Sequence, residues 1–315
     1  MTAQQSSQTK TNSNIIKRFK TLVTLLITVL FIFAVEYFIG WSEIISAWQK
    51  LSLETLLVAT VLIFFSYGLR AIRIYSYFNM HSSQQFLLCV KTTLTHNFFN
   101  NLLPMRSGEI SFPVLLHRYF NLGKIDSVVA LLFFRILDLH VLAVIFAVSC
   151  LFLFPEYAWV LVITTIIWLA LLLLSLLFRS KALDWLAHRN SKKFYKTLAN
   201  ILESFPASYR ALCTSYLWTL VNWITKLAVF SWIIIQFYSM DFSIAMISVL
   251  FGDMTSVLPI HGVAGAGTYE AGILLGASLF NINAQDILPA AINLHLFILG
   301  TSFLGVLVSY LIKFK

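Results

Sequence analysis

Long runs of apolar residues dominate the chain, and short polar segments separate them. Each run exceeds the roughly 18 residues at which an apolar α-helix can cross the hydrocarbon core of a bilayer. The full-length runs lie at residues 21–39, 53–75, 125–154, 158–178, 211–237 and 287–312. The pattern therefore predicts an all-α polytopic membrane protein with about six full membrane spans.

Two further apolar regions, residues 80–124 and 239–285, are interrupted by proline and glycine. If the basic loops lie in the cytoplasm, the first region begins and ends inside, and the second begins and ends outside. Broken helices are tolerated at membrane depth where protein or a water-filled cavity satisfies the freed backbone groups. We therefore predict two re-entrant broken-helix hairpins that are inserted from opposite faces of the membrane.

The two breaks resemble each other. Residues 100–109 read NNLLPMRSGE, and residues 257–270 read VLPIHGVAGAGTYE. In both, Leu-Pro is followed by a basic or titratable residue, by glycine, and by a glutamate that opens an apolar helix. This likeness fits an inverted repeat whose broken helices meet near the bilayer midplane. The unequal spacing from proline to glutamate fits chance similarity, which stays open as the alternative.

The composition agrees with a membrane protein, since 59% of the residues are hydrophobic and 11% are charged. Soluble domains carry about 25% charged residues. The formal net charge of +9 is compatible with nucleic-acid binding, but basic residues in a membrane protein first mark the cytoplasmic loops. They cluster before the first run, at residues 179–210 and after the last run. We therefore expect both termini in the cytoplasm and no nucleic-acid partner.

The same distribution predicts a polar, disordered leader at residues 1–14 and a single transmembrane domain at residues 15–315. Within that domain, residues 179–210 fit either a plain cytoplasmic loop or helices that lie on an anionic membrane face. No short metal signature or nucleotide-binding motif occurs, so we expect no cofactor and no metal. Cys89, Cys150 and Cys213 have no ligand spacing and are interpreted as buried packing residues.

Several charged residues fall within or beside the predicted membrane segments, where each would cost about 2.5–3.5 kcal/mol if it faced lipid at a helix centre. They must therefore pair with one another, line a wet cavity or lie near the interface. Arg135 and Asp138 have the i, i+3 spacing of an ion pair on one helix face. Arg135 also fits an anion receptor that Asp138 holds in a cavity. Lys226 is expected to form a buried bridge to Asp138 or to Asp253.

The glycines of the second break precede an apolar helix. Gly265 and Gly267 come just before Thr268, a suitable N-cap residue, and Glu270 lies in the first turn. The free N–H groups of such a helix start can bind a phosphate. A GxxxG spacing begins two residues after Glu270 and is typical of close helix packing, which is the alternative use of these small residues.

Residues 101–109, followed by Arg135 to Asp138 in the next span, resemble the pattern of the lysylphosphatidylglycerol synthase transmembrane-region family of flippase-like membrane proteins. The second break is similar to that family's second signature, and Tyr67 to Tyr77 is similar to its second helix. The resemblance spans roughly residues 15–312. It implies the lipid-translocating membrane region, because the soluble domain that transfers lysine to phosphatidylglycerol does not fit in this chain. His295 departs from the arginine that the family often has there, so the resemblance implies pH-sensitive behaviour at that position.

Together these patterns predict a multi-pass protein of the bacterial inner membrane that binds an anionic lipid and moves its headgroup between leaflets through a polar cavity. The substrate is expected to be a phospholipid or a polyprenyl-phosphate-linked sugar. Basic side chains would attract the phosphate, and acidic side chains would hold them in place or recognise a cationic headgroup. The residues expected at the site are Arg70, Arg73, Asn101, Pro104, Arg106, Gly108, Glu109, Arg135, Asp138, Lys226, Asp253, Pro259, Gly265, Gly267, Glu270 and His295.

Two other functions fit the same sequence. A non-transporting accessory protein would dock a glycosyltransferase or a lipid-modifying enzyme on the basic residues 179–210. An intramembrane lipid-modifying enzyme would use Glu109 or Glu270 as a general base beside His261 or His117. No metal signature or activated nucleophile accompanies these residues in the sequence, so the enzyme is the weaker of the two alternatives.

Overall fold

The computed structural model describes residues 26, 28–37, 39–188, 193–206, 208–255 and 263–313. Among these residues it contains no β-strand. The α-helices are α1 (Thr28–Tyr37), α2 (Trp41–Ala47), α3 (Leu53–Tyr77), α4 (Ser83–Leu102), α5 (Ser111–Phe120), α6 (Lys124–Leu153), α7 (Ala158–Ala187), α8 (Lys193–Glu203), α9 (Tyr209–Phe237), α10 (Phe242–Thr255), α11 (Thr268–Ser278) and α12 (Ala284–Leu311). The leader predicted at residues 1–14 lies outside the described residues.

Helices α3, α6, α7, α9 and α12 are long and apolar enough to cross a membrane. They follow the predicted runs closely and confirm the prediction of an all-α polytopic membrane protein. Their starts are set by local chemistry. The hydroxyl of Ser52 accepts the N–H of Thr55 at 3.0 Å at the start of α3, and the Asn283 side chain accepts the N–H of Gln285 at 3.3 Å at the start of α12. Such caps satisfy backbone donors that a helix start leaves free.

The structure describes part of the first predicted span, residues 21–39, as α1. Helix α2 follows at an angle of 80°, and α1 and α2 together have the length and composition of one span. Gly40 lies between them with a φ of 88°, a left-handed conformation that glycine adopts at little cost. The described chain therefore bends directly after the predicted span.

The core lies between α3, α9, α11 and α12. Ile63, Ile233, Ile273 and Leu294, one from each of these helices, are at most 1% exposed. Helix α7 is different, because none of the residues in its most apolar 18-residue window is buried. It packs at the periphery against α6 and α8. A buried site is therefore expected among the central helices and not on α7.

The first interrupted region forms a helical hairpin of α4 and α5. Helix α4 ends at Leu102, just before Pro104, and a 3₁₀ segment from Pro104 to Ile110 connects it to α5. The residue before a proline is disfavoured in the helical conformation, which explains the position of the break. Gly108 packs directly on the backbone of Phe99 and Asn100, and a Cβ at this position would overlap their atoms. The side chains of Pro104, Met105 and Arg106 lie outside the described part of the chain.

The second interrupted region forms a hairpin of α10 and α11, and glycines hold its two helices close together. A Cβ at Gly272 would lie 2.7 Å from the carbonyl oxygen of Phe251, and one at Gly276 would lie 2.7 Å from the Cα of Ser248. The GxxxG spacing thus serves close packing of helix backbones, as small residues do in membrane bundles. The predicted break residues Pro259 and His261 lie outside the described residues.

The two breaks touch each other in the bundle. The 3₁₀ segment from Pro104 to Ile110 contacts a short 3₁₀ turn at Val263–Gly265, and that turn also contacts α4. The two breaks are therefore neighbours in the bundle. Their insertion from opposite membrane faces, and their depth near the midplane, stay predictions.

The basic segment at residues 179–210 is largely helical. Helix α7 continues to Ala187, beyond its predicted end at residue 178, and α8 folds back on it. Arg179 donates to the carbonyl oxygens of Leu202 at 2.9 Å and Glu203 at 3.2 Å, near the end of α8. This favours the helical interpretation over a plain loop, while contact with a membrane face or an enzyme partner stays a prediction.

One prediction about cysteine is wrong. Cys89 and Cys150 are buried, but Cys213 on α9 is exposed. Apolar neighbours in the sequence do not distinguish a side chain that faces lipid from one that faces protein, because both environments are apolar.

The close packing of α10 on α11 gives a stability prediction. Replacing Gly276 by alanine should lower the free energy of unfolding by about 1–3 kcal/mol, because the new methyl group overpacks a backbone contact. Gly300→Ala is the matched control, since a Cβ there meets nothing within 4 Å. Thermal unfolding of the purified proteins in detergent measures both changes, and equal melting temperatures for the two variants would contradict this account of the hairpin.

Candidate functional site

A polar cavity lies beside the contact between the two breaks, among α3, α4, α9, α12 and the start of α11. We call it the central cavity. About 110 Å³ of it is open to the centres of water molecules, which is room for several waters at about 10–15 Å³ each by this measure. Predicted site residues that line it are Arg70, Asn101, Arg135, Lys226, Asp253, Gly265 and His295.

A buried cluster of charges joins α3, α6 and α9 beside this cavity. Asp138 accepts from the guanidinium of Arg73 at 2.7 Å and from the indole N–H of Trp223 at 3.0 Å. Arg73 also donates to the Thr219 hydroxyl at 2.9 Å, and its guanidinium lies 4.4 Å from the centre of the Phe134 ring. Because Arg73 is only 5% exposed and held from three sides, it acts as an anchor between spans and does not line the central cavity.

Arg135 connects this cluster to the first break. Its guanidinium lies 3.0 Å from a carboxylate oxygen of Glu109 and 3.5 Å from one of Asp138. The ion pair within the helix that the i, i+3 spacing indicates is therefore present, but Glu109 from the neighbouring hairpin is the nearer partner. Arg135 lines the cavity as predicted, and the carboxylates of Glu109 and Asp138 hold its guanidinium there.

Lys226 has one of the two partners that the sequence allowed. Its ammonium group lies 2.8 Å from the Asp253 carboxylate and 4.5 Å from the centre of the Trp223 ring. A cation over an aromatic face gains electrostatic attraction in addition to the ion pair. This bridge ties α9 to α10 at the edge of the cavity.

Glu270 fastens the second break to α12. One of its carboxylate oxygens lies 2.7 Å from Nδ1 of His295, and the other accepts the N–H of Gly267 at 2.9 Å. Gly267, rather than Thr268, is the N-cap residue of α11. The expectation that this helix start leaves its N–H groups for a phosphate therefore fails for Gly267, whose N–H is bound by Glu270.

The glutamates of the two breaks make equivalent contacts. Glu109 follows the first break and pairs with Arg135 on α6, whereas Glu270 follows the second break and pairs with His295 on α12. Each carboxylate joins a broken helix to a basic side chain of an unbroken span. The likeness in sequence is accompanied by a likeness in contact, and the inverted repeat stays a prediction.

Arg70 differs from the other cations of the site. It donates to the side-chain oxygen of Asn97 on α4, and within the described part of the chain it forms no ion pair. It lines the central cavity and also a smaller neighbouring cavity that Arg73 and Asp138 help to form. Arg70, Asn97 and Arg135 are common to both cavities and form the partition between them.

Sequence reasoning missed several residues of the cavity wall. Asn97 and Asn100 lie on the same face of α4 as the predicted Asn101, and Tyr67, Trp223 and Tyr269 provide aromatic walls. The i, i+3, i+4 spacing of the three asparagines was the signal available in the sequence. Asn101 itself donates to the Ser302 hydroxyl at 2.7 Å.

The remaining predicted residues do not line the central cavity. Gly108 lies in the first break, and Gly267 caps α11. The side chains of Pro104 and Arg106, and the whole of Pro259, lie outside the described residues. No group of three or more His, Cys, Asp or Glu side chains with metal-binding geometry occurs among the residues that the structure describes.

The chain matches the family model described as lysylphosphatidylglycerol synthase TM region over residues 21–305. This range includes α3, α6, α7 and α9 in full, most of α12, both breaks and every residue of the central cavity named above. No curated protein matches the chain.

The buried Arg73–Asp138 pair should be strongly coupled. Asp138→Asn alone should lower the free energy of unfolding by about 3–5 kcal/mol, because it leaves a buried guanidinium without its carboxylate. Adding Arg73→Met should restore part of that loss. Thermal unfolding of the wild type, both single variants and the double variant gives the coupling energy, and simple additivity of the two single effects would show that the pair is not the anchor described here.

Proposed function

Because the chain belongs to the lysylphosphatidylglycerol synthase TM region family, we propose that it binds the headgroup of an anionic lipid in the central cavity and carries it from one leaflet to the other. Family membership supports a lipid-related role for this multi-pass membrane protein. The chemistry of the cavity, whose walls include the spans α3, α6, α9 and α12, supports the finer step of translocation.

The unpaired charge of Arg70 is the observation on which this proposal depends. Within the described residues Arg73, Arg135 and Lys226 each have a carboxylate partner, whereas Arg70 has an amide partner. A guanidinium stays charged in proteins and matches the oxygens of a phosphate with paired N–H donors. Arg70 therefore has charge available for a ligand at a position that is shielded from lipid.

The carboxylates of the site are already engaged. Glu109, Asp138 and Glu270 each contact a basic side chain, and none of the three lines the central cavity. Two roles were expected for these carboxylates. Their contacts with basic side chains support the role of holding cations in place, and their absence from the cavity wall gives no support to recognition of a cationic headgroup. The selectivity of the site is accordingly for anions.

The central cavity offers the headgroup a polar place inside the bundle. A phosphate that reaches Arg70 there can replace the Asn97 amide, which is the hydrogen-bond partner of Arg70 among the described residues. The apolar chains of the lipid stay in the surrounding hydrocarbon. The polar wall thus replaces water for the phosphate, whose passage through bare hydrocarbon is very costly.

We place this activity in the bacterial inner membrane with both termini in the cytoplasm, on the basis of the basic segments that flank the spans. Transport would run down a lipid gradient or be coupled to an ion.

A proteoliposome scrambling assay tests the proposal. Wild-type protein should accelerate the movement of a fluorescent anionic phospholipid between leaflets. Arg70→Gln should slow this movement by about tenfold or more, which corresponds to the loss of one charge-assisted hydrogen bond of about 1.5–3 kcal/mol.

Arg118→Gln is the matched control, because it removes the same charge from an exposed position near the end of α5. Its transport rate should equal that of the wild type at the same protein content. The proposal is wrong if wild-type protein moves no anionic lipid, or if the two arginine variants slow transport equally.

A further inference from the structure

An apolar groove runs along the outside of the bundle between α6 and α7. Its walls also include the end of α8 and the start of α9. Ile136, Leu171 and Phe178 on these walls are 52%, 50% and 67% exposed, so the groove is open from outside. Among the described residues, none that lines the central cavity also lines this groove. We call it the outer groove.

The outer groove has the dimensions of a lipid chain rather than those of a helix. Trp168 and Ala182 are the first and last residues of α7 on its wall, and they lie roughly 21 Å apart along the helix. One leaflet of hydrocarbon is only about 15 Å deep. The groove contains about 1250 Å³ of space, including its open side, whereas 21 Å of an α-helix would need roughly 1600 Å³. An extended acyl chain therefore fits where a further helix does not.

A polar pocket adjoins the outer groove at the end of α8. Phe205 and Pro206 line both spaces and form the boundary between them. The end of α3 and the starts of α6 and α9 complete the wall of the polar pocket. On this wall the hydroxyl of Tyr77 donates to the carbonyl oxygen of Ser204 at 2.6 Å, and tyrosines are enriched at headgroup depth. The two spaces together have an apolar part and a polar part, which is the division within a phospholipid.

Two arginines give these walls a positive charge. Arg179 lines the groove, and its Nε and Nη2 atoms donate to the carbonyl oxygens of Leu202 and Glu203. Arg210 lines the polar pocket and is exposed, and its side chain forms no hydrogen bond or ion pair within the described part of the chain. Asp126 is the single carboxylate among the described residues of the two walls. The balance of charge therefore favours an anionic headgroup.

We propose that the outer groove and the polar pocket bind one anionic phospholipid of the bilayer as a structural lipid, with an acyl chain in the groove and the headgroup at Arg179 and Arg210. The lipid fastens α7 to the bundle. Because no residue in the most apolar window of α7 is buried, protein contacts alone hold this helix weakly. The chain fills the space that α6, α7 and α9 leave between them. This site does not depend on the proposed translocation.

Native mass spectrometry of the purified protein with added phosphatidylglycerol counts the bound lipids. Ala182→Phe places a ring in the groove and should remove one bound lipid per chain, because the ring occupies the space of the acyl chain. Ala170→Phe is the matched control, since it makes the same change at an exposed position of α7 that does not line the groove. It should keep the wild-type number of lipids.

Ile136→Phe repeats the test from the wall that α6 provides. Its control is Leu139→Phe, because Leu139 is 48% exposed and does not line the groove. Thermal unfolding without added lipid checks that the variants are folded. Loss of one lipid in the groove variants but not in the controls supports the site. If a folded groove variant keeps the wild-type number, or if its control loses as much, the bound lipid is only the loose shell around the protein and the proposal is wrong.

Arg210→Gln tests the headgroup part of the site. A basic residue near a membrane surface contributes about fivefold to the affinity for anionic lipid, so phosphatidylglycerol should bind about fivefold more weakly to this variant. Arg118→Gln, on α5, is the control for charge and should bind it as the wild type does. Phosphatidylcholine should bind wild-type protein more weakly than phosphatidylglycerol does. Equal binding of the two lipids would overturn the assignment of an anionic ligand.

The structural role has a readout of its own. A ligand that binds only the folded protein stabilises it, so added phosphatidylglycerol should raise the melting temperature of Ala170→Phe more than that of Ala182→Phe. Equal rises would overturn the structural role.

Arg70→Gln separates this site from the central cavity. It should keep the lipid that Ala182→Phe loses, even if wild-type protein moves no lipid between leaflets. Loss of the same lipid in Arg70→Gln would show that the two spaces are one site and would overturn the proposal.

Discussion

Pairing of buried charges determines how the helices of this protein lie against one another. Arg73 and Asp138 join α3 to α6, Lys226 and Asp253 join α9 to α10, and further pairs join both breaks to neighbouring spans. Burial of apolar side chains gives no hydrophobic driving force between helices in a bilayer, because lipid chains are as apolar as leucine. An unpaired charge facing lipid costs several kcal/mol. Each ion pair therefore fixes the rotation and relative depth of two helices in a way that apolar packing does not.

The broken helices obey the same constraint through their backbones. A helix that ends inside a membrane exposes N–H and carbonyl groups that must find partners in protein or water. Here the break after α4 and the turn before α11 lie against each other, and the glutamate after each break contacts a basic residue on a continuous span. The irregular backbone thus lies beside a polar cavity instead of beside lipid. The ion pairs that fasten the broken helices also place charged side chains around this cavity.

The sequence predicted those features that depend on one segment at a time. Span length and the interruptions by proline and glycine gave the long helices and both hairpins, and Lys226 was assigned two candidate partners of which Asp253 is the one bound. The Arg73–Asp138 pair was not predicted, because the rotation of α3 relative to α6 has no signature within either segment. The amides Asn97 and Asn100 were missed for another reason. Their i, i+3, i+4 spacing with Asn101 indicates a shared face of α4, but the spacing alone does not tell whether that face lines a cavity or packs against another helix.

The distance along the chain between paired charges bears on how the protein is made. Arg73 is 65 residues ahead of Asp138 and 146 ahead of Thr219, so Arg73 reaches the membrane before either of these partners. A segment with two arginines is a poor candidate for release into lipid alone. Helix α3 must wait at the insertion machinery or at the bilayer surface until α6 and α9 arrive. Glu270 and His295 are only 25 residues apart, so the contact that fastens the second break to α12 can form as soon as these two neighbouring segments are inserted.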